Sequence, residues 1–300
     1  MKSVSGQLDH LTRLFNEVAR PLLNGAGYYN VQAAISTSSH MTGLKDGISQ
    51  SIVTFLNLNE FADEKVEPDT DWDYDNSTLP TLEDQISKQL AAFGLSSTQA
   101  IMVRSENAAT ENTDGLMAIP FLTDLGMHFG IEDPLGAGYG QLGEKVLEGV
   151  ASTRTLYYRE DELGSDYVRV HADVKEKLAA LESQSQPEEG KLRFHVLPVS
   201  MGASLAGYSP RNARATALLS NRLPLGFVQI FCLLLGWPER LSAYEQRWMD
   251  CSGDQYNWGA GGAWARCPFV EFGDDGLELG ADVAGYAGDG YGSPVASLGV

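Results

Sequence analysis

The run LPLGFVQIFCLLLGW, Leu223 to Trp237, is the most apolar stretch of the chain and limits most strongly how the rest can fold. It is shorter than the roughly 20 residues a helix needs to cross a hydrocarbon core, so it cannot span a bilayer. A helix of this kind belongs inside a protein core, and the remaining sequence has to supply the cover. Pro224 is placed to open it, and Gly236 with Pro238 to close it.

The sequence around this run is clearly punctuated. Ser209 followed by Pro210 reads as an N-cap with a first-turn proline, starting the helix PRNARATALL. PERLSAYEQRW reads as a third, short helix, and PFVEFGDDGLELGA as two strands about a GDDG turn. The tail beyond Asp282 is Gly-rich, carries Tyr286 and Tyr291, and is expected to be loosely ordered.

Upstream, Leu8, Leu11, Phe15, Val18 and Leu22 form the stripe of an amphipathic helix that Pro21 ends; the segment lacks the apolar core of a secretory signal. VQAAIS and SIVTFLNL read as strands. Residues 60 to 84 carry ten carboxylates against one lysine and read as an exposed acidic loop. Leu82, Ile86, Leu90 and Phe93 then line one helix face, with Thr81 to cap it and Gly94 to stop it. STQAIMVRS reads as a strand, ENAATENTDG as a surface loop or boundary, ADVKEKLAALESQ as a helix, and KLRFHVL as a strand. ESQSQPEEG, before that last strand, has a linker's composition. The division it implies is a mixed α/β region over 1–185 and a helical plus β-hairpin region over 190–300. The fold class is α+β, with a parallel α/β sheet as the alternative.

Forty acidic against 21 basic side chains give a formal net charge of −19. Such a surface repels phosphate backbones and anionic lipid, and no basic run offsets it, so nucleic acid and membrane are disfavoured. The charge serves solubility or a basic protein partner. Cys232, Cys251 and Cys267 make an odd count, which with no secretory signal argues for reduced thiols in the cytoplasm. No histidine follows His195 to complete a zinc site with Cys251 and Cys267; a disulfide between those two stays open.

Four segments could carry chemistry. PVSMGASLAG follows a strand as a hydrolase nucleophile does, but Ser200 and Ser204 each lack one flanking glycine, and all five histidines precede them. No catalytic residue is assigned there. Gly138, Gly140 and Gly143 have GxGxxG spacing, with Glu160 about twenty residues on where a ribose-binding acid belongs. FGIEDPLGA, ahead of the first glycine, is a poor central strand. Asp69, Asp71, Asp73 and Asp75 alternate on one side of an extended segment, a candidate calcium or magnesium site that fails EF-hand spacing. Tyr256, Trp258 and Trp264 stand in a glycine-rich loop as a candidate interaction surface. The reading these features favour is an acidic, soluble, cytoplasmic binding or protein-interaction module without catalytic activity. The alternatives are a cation-binding protein and a nucleotide-dependent enzyme.

Overall fold

The structure, a computed structural model, describes residues 59–104, 111–162, 166–258 and 263–298. The expected amphipathic helix over residues 8–22 and the strands VQAAIS and SIVTFLNL lie outside these residues. All described residues belong to one unit, Asn59–Val300. In chain order they form α1 (Leu82–Ala92), β1 (Ala100–Arg104), β2 (Gly115–Pro120), α2 (Leu122–Phe129), α3 (Tyr139–Ala151) and β3 (Leu156–Tyr157). There follow β4 (Val168–Val170), α4 (Ala172–Glu182), β5 (Leu192–Ser200), α5 (Pro210–Leu219), β6 (Arg222–Pro224) and α6 (Phe227–Gly236). The series ends with β7 (Trp248–Asp250), β8 (Asp254–Tyr256), β9 (Arg266–Phe272), β10 (Leu277–Val283), β11 (Tyr291–Gly292) and β12 (Val295–Ser297). The fold is α+β, with two mixed sheets. No helix among the described residues is long and apolar enough to cross a membrane.

β5 is the hub of the first sheet, and all nine of its residues are buried. It pairs in parallel with β1 (Met102 opposite Phe194) and antiparallel with β2 (Met117 opposite Leu197). β12 pairs antiparallel with both β5 and β6, Val295 lying opposite Ser200 and Pro224. The ESQSQPEEG stretch, residues 182–190, therefore runs from the last residue of α4 towards a strand shared with β1 and β2. Two polar residues inside β5 pack on their neighbours, Arg193 fully paired and His195 with its buried Nε2 lacking a hydrogen-bond partner among the described residues. Arg193 donates from Nε to Asp124 Oδ2 at 2.8 Å, and the neutral His195 ring stacks on Phe121 at 3.7 Å between centroids. Gln85 and Gln89 of α1 are buried against β2, Gln89 Nε2 donating to the Ala118 carbonyl and Gln85 Oε1 accepting from the Ala118 N–H. These bonds cover backbone groups that an open strand edge would leave unpaired.

In the second sheet β9 pairs with β7 and β10, and β8 joins β9 to β4. β9 and β10 form the expected hairpin about residues 273–276. Helix α6 buries all ten residues, as its composition demands, against α1, α3, β2 and β9. Each buried Leu, Ile or Phe there contributes about 1.5–3 kcal/mol, so this helix holds the two sheets in one core.

The helix caps fall where the spacing puts them. Thr81 Oγ1 accepts from the Asp84 N–H and Ser209 Oγ from the Asn212 N–H, both at 3.2 Å. Three expectations need correction. Pro224 ends β6, and α6 begins only after Gly226. PERLSAYEQRW is no helix beyond a single 3-10 turn at Pro238–Arg240. Arg154 takes the carbonyls of Pro238 and Leu241, while Gln246 Oε1 takes the N–H groups of Ser242 and Ala243, so the backbone groups a helix would use are held by side chains. The tail beyond Asp282 is well packed: it supplies β11 and β12, and Val295 and Ala296 are fully buried.

Candidate ligand-binding cavity

β8 alternates, so Asp254 and Tyr256 face one side of the second sheet and Gln255 the other. Tyr256 lies opposite Arg266 of β9, and past it the chain carries Trp258 outward to 57% exposure. Between these residues, the 3-10 turn Glu160–Glu162 and the β9–β10 hairpin lies a cavity of about 250 Å³. Phe227, Val168, Pro268 and Leu279 give it apolar walls, and Arg159, Glu162 and Tyr256 are its polar lining groups. Gly280 faces Phe269 across the hairpin; a Cβ there would sit 2.6 Å from the Phe269 ring, so the absent side chain lets that ring lie against the cavity.

The polar groups form a chain. The Tyr256 hydroxyl donates to Glu162 Oε2, and Arg159 Nη1 donates to Glu162 Oε1 at 2.9 Å. The Tyr256 hydroxyl, then Arg159, hold the Glu162 carboxyl below its ordinary range, so it is an anion with both oxygens engaged. Burial, then Glu162, pushes the Tyr256 phenol up, which keeps its proton in place. Two guanidinium groups lie on the Trp258 ring, Arg159 at 5.1 Å and Arg266 at 4.6 Å from its centroid.

Behind the cavity, Asp254 is completely buried. Its Oδ1 accepts from the Tyr139 hydroxyl at 2.9 Å and its Oδ2 from the Phe227 N–H at 2.6 Å, which caps the start of α6. Burial raises its pKa to about 7 against the pull of those two donors and of Arg214. The residue fixing the cavity's Phe227 wall is thus a carboxyl that titrates near neutrality.

Of the proposed interaction residues, Tyr256 and Trp258 come together here, while Trp264 does not. Arg169, paired with Gln255 on the opposite face, lies 3.9 Å over the Trp264 ring. Arg159, Glu162, Phe227 and Arg266 were invisible as partners, because strand register, not local spacing, brings them to the loop.

The glycine motif lacks a strand to its N-terminal side: Gly138 follows α2 and a tight turn. The Asp133 carbonyl takes the N–H groups of Gly136 and Gly138, and its carboxylate takes that of Ala137, so amides that would face a pyrophosphate are already bonded. Gly143 is needed for packing, since a Cβ there would lie 2.1 Å from the Phe227 ring. Gly140 is buried in α3, and Glu160 opens the 3-10 turn. The dinucleotide site is not built.

Asp69, Asp71, Asp73 and Asp75 do not converge. Asp69, Asp73 and Asp75 accept backbone N–H groups from Asp71, Tyr74 and Ser77 within their own loop. Arg247 sits beside them, donating to the Asp69 and Asp289 carbonyls. Among the described residues no three His, Cys, Asp or Glu gather into a metal-holding group. Trp72 packs under this loop on Trp248, 5.1 Å between centroids.

Ser200 Oγ accepts from the Ser204 N–H at 3.0 Å, and Ser204 Oγ from Arg222. Among the described residues neither serine bonds an imidazole. His195, five residues before Ser200, is pushed down to about 3 by burial and Arg193, and its ring stays neutral. Two larger grooves, of about 450 Å³ beside Met127 and about 520 Å³ beside Leu235, are lined by no Phe, Tyr or Trp. Comparison with protein-family models, curated proteins and solved structures returns no match for this chain.

Proposed function

We propose that this chain is a binding module without a catalytic centre of its own, and that its recognition element is the Tyr256–Trp258 cavity. The observation that carries this reading is Trp258: a tryptophan more than half exposed, fixed by two arginines at the mouth of an apolar cavity. Large aromatic anchors beside a pocket dominate recognition energetics, and two χ angles held by stacked cations lose little entropy on binding. The −19 formal charge adds a long-range preference for a basic protein partner over nucleic acid. Cys232, Cys251 and Cys267 are free and buried, which supports a reducing, cytoplasmic setting.

Capture on the immobilised chain, read by native mass spectrometry, tests this. A molecule retained by the wild-type chain and lost with Trp258→Ala supports the reading. Identical capture by both chains refutes it.

A further inference from the structure

The cavity also carries information about what it takes. This inference rests on the binding reading above and concerns the chemistry of the occupant. Phe227, Val168, Pro268 and Leu279 offer no hydrogen-bonding side chain, so the inserted group is apolar. At about 250 Å³ the space lies below the range that holds a drug-sized ligand and suits a group of about one ring.

The mouth decides the charge. Arg159 is neutralised by Glu162, and the second oxygen of Glu162 is taken by Tyr256. Arg266 makes one long hydrogen bond, from Nη1 to the Ala281 carbonyl at 3.4 Å, and meets no carboxylate among the described residues. Its Nε–Nη2 edge, the fork that fits a carboxylate in a bidentate pair, makes no hydrogen bond among the described residues. Asp161 acts on Arg159 as well as Glu162 does, so among the described residues the group left to meet an anion is the unengaged Arg266 fork beside the Trp258 ring, in a chain of formal charge −19. The diffuse negative charge is screened beyond about 8 Å at physiological salt, so contact with Arg266 governs the occupant. A cationic ligand is disfavoured, because the guanidinium groups already use the Trp258 π-system that would attract it.

We propose that the cavity binds an apolar ring bearing a carboxylate, the ring against Phe227 and Trp258 and the carboxylate on the Arg266 fork. A free aromatic acid and the C-terminal aromatic residue of a peptide share this chemistry. Titrating the full chain with phenylacetate, phenylacetamide, and a short peptide ending in phenylalanine as the free acid or the amide separates the two sources. Either acid should bind at least about tenfold more tightly than its amide. Arg266→Gln should bring that ratio to within about twofold, and Trp258→Ala should weaken acid and amide alike; thermal melts of both variants confirm folding. Binding by the peptide acid alone assigns the source to a chain terminus, and by phenylacetate to a free acid. If amides bind as well as acids, or no acid binds, the charge assignment is overturned. The binding reading then still stands if wild type but not Trp258→Ala captures a molecule.

Discussion

Asp254 receives two hydrogen bonds and has no exposed surface, and burial outweighs the bonds. A carboxyl whose folded pKa is about 7, against an ordinary 3.8, binds its proton more tightly in the folded chain. Stability from this group is therefore fully present below about pH 4 and falls as pH rises towards 7, by up to roughly 4 kcal/mol. His195 runs the opposite way. Its folded pKa of about 3 lies below the ordinary value, so its contribution is present above about pH 6.5 and is lost as pH falls. Asp254→Asn isolates the first effect, since its amide oxygen still accepts from Phe227 and no charge remains to be buried. In urea unfolding, the variant should gain stability relative to wild type as pH goes from 5 to 8. A difference that stays constant across that interval would show that Asp254 is ionised throughout.

At the scale of elements, the contact of α3 with α6 depends on one missing methyl group. Gly143→Ala places a Cβ 2.1 Å from Phe227 Cζ, between the buried face of α3 and buried α6, and overpacking of this kind costs about 1–3 kcal/mol. Gly149→Ala, on the same helix with its nearest neighbour at 3.3 Å, should cost less. Because Phe227 walls the cavity, Gly143→Ala should also weaken ligand binding more than Gly149→Ala does; urea midpoints and ligand titrations check both. Helices α1 and α5 and the hairpin were legible where chemistry is local: Thr81 and Ser209 as caps, and a GDDG turn between alternating strands. Tyr256 and Trp258 were legible as loop aromatics. What could not be read was non-local. Arg154 reaches in from beyond α3 to undo the expected third helix, and β12 looks like a short, glycine-flanked tail until β5 and β6 are in place to pair with it. The same reason hid Glu162 and Arg266.

For the whole molecule, the surplus of carboxylates sets up a diffuse field, and among the described residues it gathers into no metal-holding group. Self-repulsion of 19 net charges destabilises the compact state and is relieved by screening. Raising sodium chloride at pH 7 should therefore raise the melting temperature by a few degrees. At matched ionic strength calcium should do no more than magnesium, since Asp69, Asp71, Asp73 and Asp75 offer no shared coordination sphere. A calcium-specific rise in differential scanning calorimetry would contradict that geometry.

The placement of β12 has a consequence for biosynthesis. It lies between β5 and β6, both of which leave the ribosome long before it does. During that interval the nascent chain holds two strand margins with nothing to zip against, and such margins invite association with neighbouring chains. The first sheet is thus completed only once residues 295–297 are available to bridge β5 and β6.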